Sequence, residues 1–250
     1  MIRLFLAFTS LLPLKTNHSF GSFIGYLLYL FNSEAKSVSK QNLEICFPGL
    51  SELELKSLLK KVLTETGKGL TESGLIWNQN FTDNAKLIRN INGEHYLDSS
   101  KKTILLVPHM GCWEITGRVL AEKRNVTFMY RPLRSNKQNE YLFSRRNQGN
   151  LTMASADKLG ILKIQRALNN GDLVGMLPDQ DPGKEGGLMV PFFGKMVNTM
   201  TLLARIAKKQ NAQVLMFWAE RLDDGQGYDL NIEPVDLNAN GDNLEERVGQ

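Results

Sequence analysis

Hydrophobic and polar positions change rhythm near Lys86. Before it the apolar residues recur at helical spacing: Leu55, Leu58, Leu59, Val62 and Leu63 fall at i, i+3, i+4, i+7 and i+8, with lysines and glutamates on the other face. Ser51 and Glu54, just after Phe47-Pro48-Gly49, have capping-box spacing and predict where this helix begins. Its pattern weakens toward Gly67, Gly69 and Gly74. Residues 1–31 are the most apolar stretch, which Lys15 to Ser19 split into Ile2–Leu14, interrupted at Pro13, and Phe20–Phe31. Neither piece approaches the ~20 apolar residues that span a bilayer. No small-x-small cleavage site follows the first piece. Two readings stand for this region: a pair of buried core helices, or an interfacial membrane anchor. Asn32 to Lys40 reads as a polar connector.

After Lys86, short apolar runs alternate with amphipathic segments, the rhythm of β/α units. Strands are predicted at Leu87–Ile91, Thr103–Val107, Val126–Tyr130, Leu173–Leu177 and Val214–Trp218. Helices are predicted over roughly Cys112–Lys123, Asn136–Asn147, Lys158–Asn169 and Thr199–Lys209, with Asn169-Asn170-Gly171 as a stop signal. Asp223 to Gly227 reads as a turn, and Tyr228–Ile232 as the hairpin partner of the strand before it. The fold class expected is therefore α/β, with a mixed, largely parallel central sheet flanked by helices. The expected division is residues 1–40 as an apolar, membrane-associated helical region and 41–250 as the α/β domain, with a helical lead-in to about residue 80.

Charge adds little to this picture. The 250 residues carry 30 Lys+Arg against 26 Asp+Glu, a net charge of +4 that leans toward an acidic partner or an anionic membrane surface. No basic stripe interleaved with aromatics, helix-turn-helix or finger pattern marks a nucleic-acid binder. Cys46 and Cys112 lie far apart and form no CxxC pair, which argues against a structural zinc or a disulfide framework.

Candidate chemistry gathers at predicted strand ends. The run Thr103 to Val107 is closed by Pro108, which sets His109 at the carboxyl end of a strand, where open α/β sheets bind ligands. Gly111 permits a tight approach, and Glu114, five residues past His109, sits near the first turn of the next helix. A carboxylate there is expected to reach back to the imidazole and raise its basicity, giving a general base that needs neither a metal nor a covalent intermediate. The alternative is a capping Glu beside a satisfied histidine. Arg131, past the next strand, suits a phosphate or carboxylate. Arg145 and Arg146 read as a solvated helix face, with Arg146 kept as a substrate-binding candidate. Asp179 and Asp181, in Pro178-Asp179-Gln180-Asp181, either bind a divalent cation or simply make a turn; the spacing fails the calcium-loop pattern. Phe192-Phe193 would suit an apolar wall.

Taken in order, His109-Met110-Gly111-Cys112-Trp113-Glu114, Tyr130-Arg131-Pro132, Pro178-Asp179-Gln180-Asp181 and Val190-Pro191-Phe192-Phe193-Gly194, with Thr199 or Thr201 beyond, resemble the signatures of the bacterial lipid A biosynthesis acyltransferases, within the lysophospholipid acyltransferase superfamily. Asn42 to Pro48 is similar to the stretch before their helical region. The resemblance implies a peripheral or N-terminally anchored enzyme of the cytoplasmic face of the bacterial inner membrane, with residues 41–250 as its acyltransferase domain. It would move a fatty acyl chain from acyl carrier protein to a hydroxyl of a lipid A precursor. His109 and Glu114 would be catalytic, with Arg131, Asp179, Gly111 and Arg146 in substrate binding and no cofactor. The helix amides after Gly111 are candidate oxyanion donors. The family usually continues to a closing Pro-, Glu-, Tyr-, Trp- and Arg-rich segment, whereas this sequence ends at Gln250 within what reads as a helix start, so a shortened carboxyl end is expected. Three rivals remain: a superfamily enzyme with a lysophospholipid or glycolipid acceptor, a metal-dependent phosphohydrolase using Asp179, Asp181 and His109, and a silent membrane-binding homologue.

Overall fold

A computed structural model describes residues 2–98, 100–133, 135–183 and 186–237; the predicted helix start before Gln250 lies outside them. The described residues form two compact units, one of residues 2–79 with 221–227, the other of 80–220 with 228–237.

The first unit is helical: α1 (Ile2–Ser10), α2 (Leu14–Leu30), α3 (Glu34–Cys46) and α4 (Glu52–Asn78). The predicted capping box is formed, with the Ser51 hydroxyl accepting from the Glu54 amide and the Glu54 carboxylate accepting from the Ser51 amide at 2.8 Å. The glycines that weaken the helical pattern do not end α4. Gly67 lets it touch α2, where a Cβ would lie 2.0 Å from the Gly21 carbonyl oxygen, and Gly74 lets it touch α1, where one would lie 2.5 Å from that of Leu6; on the α2 side, a Cβ on Gly25 would lie 2.1 Å from the Leu63 carbonyl oxygen. Two sequence expectations fail here. Pro13, not Lys15 to Ser19, separates α1 from α2. The polar residues of that stretch lie inside α2, where Asn17 Nδ2 donates to the carbonyls of Thr9 at 2.8 Å and Thr71 at 3.1 Å while its Oδ1 is buried without a partner among the described residues. The polar connector at Asn32–Lys40 is instead largely the start of α3, whose N-cap Ser33 accepts from the Lys36 amide at 3.1 Å.

The N-terminal helices are neither wholly buried nor long enough to span. Leu6 and Leu14 are buried, while Leu4 is 77% and Leu11 81% exposed, and Phe8, Phe23 and Phe31 also face outward. Among the described residues no helix is long and apolar enough to cross a membrane.

The second unit holds α5 (Phe81–Ala85) and a seven-stranded sheet: β1 (Ile88–Asn92), β2 (Thr103–Leu106), β3 (Val126–Tyr130), β4 (Leu151–Ser155), β5 (Leu173–Met176), β8 (Gln213–Arg221) and β9 (Tyr228–Val235), in the order β1-β9-β8-β2-β5-β3-β4. The β8–β2–β5–β3–β4 run is parallel throughout, with Leu106 opposite both Met176 and Met216. The turn at 222–227 is too short for a parallel crossover, so the β8–β9 step is the mixed one. Four helices complete the unit: α6 (Trp113–Ala121), α7 (Asn136–Arg146), α8 (Lys158–Asn170) and α9 (Leu202–Gln210). α8 is capped by Asp157 and ends at Gly171 with φ 83°, as the Asn-Asn-Gly signal predicts. Ile104, Val174 and Val214 of the sheet pack with Ile164 and Leu168 of α8 and Leu203 and Ile206 of α9. Three strands go unpredicted: β4 and the antiparallel pair β6 (Gly187–Phe192) and β7 (Lys195–Met200), whose turn holds Phe193 and Gly194 at positive φ. β7 also takes the residues expected to begin the last helix.

Within the helical unit, Glu72 is 2% exposed and binds His18 Nε2 at 3.1 Å and Arg221 Nε at 2.9 Å. Burial pushes the Glu72 carboxyl up, but the bonds from His18 and Arg221 outweigh it and hold the group below the usual carboxylate range. Replacing Glu72 by Gln removes a buried counter-charge, with an expected cost of about 3–5 kcal/mol at neutral pH, measured by denaturant unfolding. Because the folded value is depressed, the wild-type advantage is complete above the unfolded carboxylate value of about 4.3. It declines as pH falls below that and is gone once pH has passed the folded value; a difference that grows on acidification would contradict this assignment.

Candidate active site

β2 and β5 are neighbouring parallel strands in which Leu106 faces Met176, and the Val107 amide extends the ladder by donating to the Met176 carbonyl at 2.9 Å. Each strand then meets a proline, Pro108 and Pro178, which ends the ladder. His109 and Asp179 follow these prolines, so in-register pairing delivers them side by side. The Asp179 carboxylate receives two bonds from one residue: the His109 amide donates to Oδ2 at 2.7 Å, and His109 Nδ1 lies 2.8 Å from Oδ1. Partial burial raises the Asp179 carboxyl, but the ring and backbone bonds from His109 outweigh it, so the group stays below the ordinary aspartate range. An ionised carboxylate can only accept, so Nδ1 donates a ring proton to it, and in the neutral ring the lone pair then lies on Nε2. The Gln180 amide nitrogen lies 3.3 Å from Nε2 and donates to that lone pair.

Spacing along the chain places Glu114 on the imidazole; the structure sets Asp179 on its Nδ1. Glu114 is bound by Arg146, with Nε at 3.2 Å from Oε2 and Nη2 on Oε1. The Arg146 guanidinium lies over the Trp113 ring at 5.0 Å, and the Trp113 ring meets His109 edge-on at 4.9 Å. Arg146 is thus not on a solvated face: its side chain is 21% exposed. Beneath it, Arg118 is 2% exposed, with Nε 2.5 Å from Asn84 Oδ1 and Nη1 donating to the Arg145 carbonyl at 3.0 Å. Burial pushes the Arg118 guanidinium down to about 10, against the favourable charge of Glu114.

Gly111 makes its close approach to the protein itself. Its φ is 55°, it bridges to Ala219 of β8, and an added Cβ would lie 1.9 Å from the Ala219 carbonyl oxygen. That same oxygen accepts from the Cys112 amide at 2.9 Å, which commits one of the amides expected to serve as an oxyanion donor.

These residues open onto a cavity of about 690 Å³, within the ~300–1,000 Å³ usual for ligand sites. His109, Glu114, Arg131 and Arg146 line it, and Phe128, Leu142, Leu151, Met153 and Met176 make its apolar wall. Phe128 sits against Gly117 and Gly175, where a Cβ would come within 2.9 and 2.4 Å of its ring. Arg131 reaches the Asp181 carbonyl at 3.4 Å. The Asp181 carboxylate accepts from the Gly183 amide at 2.9 Å and Asn198 Nδ2 at 2.8 Å, bonds that hold it below the ordinary aspartate range. It is thus a loop-forming residue, and among the described residues no three metal-ligating side chains gather. Phe192 and Phe193 are mostly exposed on the β6–β7 hairpin. Sequence reasoning overlooks Gln180 and Arg118; the one signal for either was that Gln180 lies within the Pro178–Asp181 block.

The profile of the bacterial lipid A biosynthesis acyltransferases matches residues 2–246. The chain is 29% identical over 240 residues to a lipid A biosynthesis lauroyltransferase of Escherichia coli K12, covering 94% of this chain and 77% of that one. It is 27% identical over 230 residues to a lipid A biosynthesis acyltransferase of Haemophilus influenzae, covering 88% and 71%. A palmitoleoyltransferase of lipid A biosynthesis from Escherichia coli K12 is 28% identical over 223 residues, covering 86% and 71%.

Gly111→Ala combines a strained backbone with a collision against β8. Its expected cost is at least about 1–2 kcal/mol, read by thermal unfolding, together with a loss of activity from displacement of His109.

Proposed function

The chain belongs to the bacterial lipid A biosynthesis acyltransferase family, and from that premise we propose that it transfers a fatty acyl chain from acyl carrier protein to a hydroxyl of a lipid A-type glycolipid. The observation that carries this reading is an imidazole held at Nδ1 by Asp179 on the lining of an apolar-walled cavity.

In the proposed step the acceptor hydroxyl displaces Gln180 at His109 Nε2 and gives its proton to that nitrogen as its oxygen attacks the thioester carbonyl. Asp179 keeps the imidazole in its reactive tautomer and stabilises the imidazolium that forms. Collapse of the tetrahedral species expels the carrier thiolate, which takes the proton back from Nε2. Glu114 acts through Arg146: it fixes a guanidinium on the cavity wall, where a positive charge favours the developing oxyanion. Gly111 shapes the turn that presents His109. The acyl chain lies against Phe128, Leu151 and Met153. No nucleophile of the protein takes part, so the chain passes directly from thioester to ester.

A membrane-surface location is part of the proposal. The outward Leu4, Leu11, Phe8, Phe23 and Phe31 of the N-terminal helices give an apolar face of the kind that lies in an interface, and the mild positive charge suits an acidic carrier and anionic lipid. The cytoplasmic face of the inner membrane is where such a carrier and glycolipid would meet.

His109→Ala is expected to lower transfer by a factor of roughly 10²–10⁴, measured with acyl carrier protein thioester and a lipid A precursor. The intact mass of the wild-type enzyme after exposure to the donor alone should be unchanged. Full turnover by the variant, or an acyl adduct on the enzyme, would overturn the mechanism.

A further inference from the structure

The β6–β7 hairpin carries apolar surface that the acyl-transfer step leaves unused. Its base is built into the site: Gly187 and Met200 line the cavity, and Asn198 Nδ2 ties β7 to the loop after β5, donating to Asp181 Oδ1 at 2.8 Å and to the Gly183 carbonyl at 2.9 Å. Alternation along the pair sets Leu188, Val190, Val197 and Thr199 on one face, and of the two strands only Val190 is buried. The other face and the tip are open. Met189, Phe192, Phe193 and Met196 are each more than half exposed, and the two phenylalanine rings meet edge-on at 4.8 Å. No residue from 187 to 200 is acidic, and Lys195, opposite Phe192 in the ladder, is exposed beside the rings.

Phe193 and Gly194, between the paired Phe192 and Lys195, have φ of 46° and 72°. A turn with both central φ positive favours Asn-Gly, because the left-handed region crowds the Cβ of a larger residue. Phe193 adopts that conformation with its ring in water, so packing within the chain does little to offset the strain. We propose that this tip, Phe192, Phe193 and Met196 with Lys195, inserts into the surface of an anionic lipid bilayer. A two-residue turn makes a narrow, convex tip that enters a fluid interface without needing a shaped pocket. There the rings leave water, while the Lys195 stem lies along the apolar side and its ammonium reaches lipid phosphates. A folded partner would have to supply a matching pocket, and an acidic carrier would meet a single cation among apolar side chains. The contact belongs to the α/β unit itself and is independent of the apolar face of the N-terminal helices. The six residues of β6, at roughly 3.4 Å each, join the tip to the cavity lining at Gly187, so insertion holds that lining within about 20 Å of the interface. Insertion needs only this surface; its use, passing a lipid substrate from bilayer to cavity, rests on the acyl-transfer reading.

The test reads the tip alone, because the N-terminal helices offer lipid an apolar face of their own. An environment-sensitive fluorophore is attached to the full chain at Phe192→Cys in a Cys46→Ser background, Cys112 being buried. Vesicles of phosphatidylethanolamine and phosphatidylglycerol should shift its emission to the blue and raise it severalfold. Bromine placed shallow in the acyl chains should quench it more than bromine placed deep. The second variant, Phe193→Asn, suits the positive φ, so it should raise the melting temperature without lipid. It should also weaken vesicle partitioning by about tenfold to a hundredfold, the range for one buried ring. A fluorophore that stays in water while vesicles are bound, or partitioning equal in wild type and Phe193→Asn, overturns the insertion. So does a dimer in lipid-free solution that Phe193→Asn dissociates, which would assign the tip to a second copy of the chain. A tip left in water on a protein whose wild type transfers acyl chains overturns the insertion and leaves acyl transfer standing; an inserted tip on a protein without acyl transfer does the reverse.

Discussion

One carboxylate holds the candidate site together. Asp179 accepts from both the backbone amide and the ring of His109, so a single side chain fixes the path of the turn after β2 and the protonation of the imidazole that the turn presents. The arrangement follows from sheet register: β2 and β5 pair in parallel, each meets a proline, and the first residue past each proline is a member of the pair. The turn's far side is pinned separately, by Gly111 and Cys112 on the Ala219 carbonyl of β8. Three adjacent strands thus position one histidine, and the imidazole has little freedom except at Nε2.

Around this interlock the cavity divides its work by chemistry. Glu114, Arg146 and Trp113 make a charged and aromatic wall in which each member is held by the next. Phe128, seated against Gly117 and Gly175, belongs to an apolar wall. Burying Arg118 is costly, and desolvation pushes its guanidinium down to about 10; its bonds to Asn84 and to the Arg145 carbonyl make that burial tolerable. A candidate base, an apolar wall and cations in one cavity suit the acyl transfer proposed above.

Much of this was legible in the residues. Val126–Tyr130 is a strand with the predicted bounds, because a short apolar run between turn signals has one economical reading. The capping box at Ser51 and the stop at Gly171 are local, and local chemistry decided them. Asp179 and His109 were each singled out, but their pairing was not, because the two lie 70 residues apart and only sheet register joins them. Glu114 drew attention through its nearness in sequence to His109, while the arginine that holds it comes from α7. β4 was missed because Leu-Thr-Met-Ala-Ser alternates weakly, and β6–β7 because Pro191 and the paired phenylalanines mask a hairpin. In α2, Asn17 and His18 read as a break in the apolar stretch because a sequence pattern cannot show the carbonyls and the carboxylate that bind them.

The central claim is that Asp179 holds the His109 ring proton on Nδ1 and leaves Nε2 as the basic nitrogen. The most direct measurement is nitrogen-15 NMR of histidine-labelled protein at neutral pH, with the resonance assigned by loss in His109→Gln. A proton-bearing Nδ1 with a pyridine-like Nε2, exchanged for the opposite tautomer in Asp179→Asn, is the result this account requires. An Nε2 proton in the wild type, or a tautomer indifferent to Asp179, would contradict it.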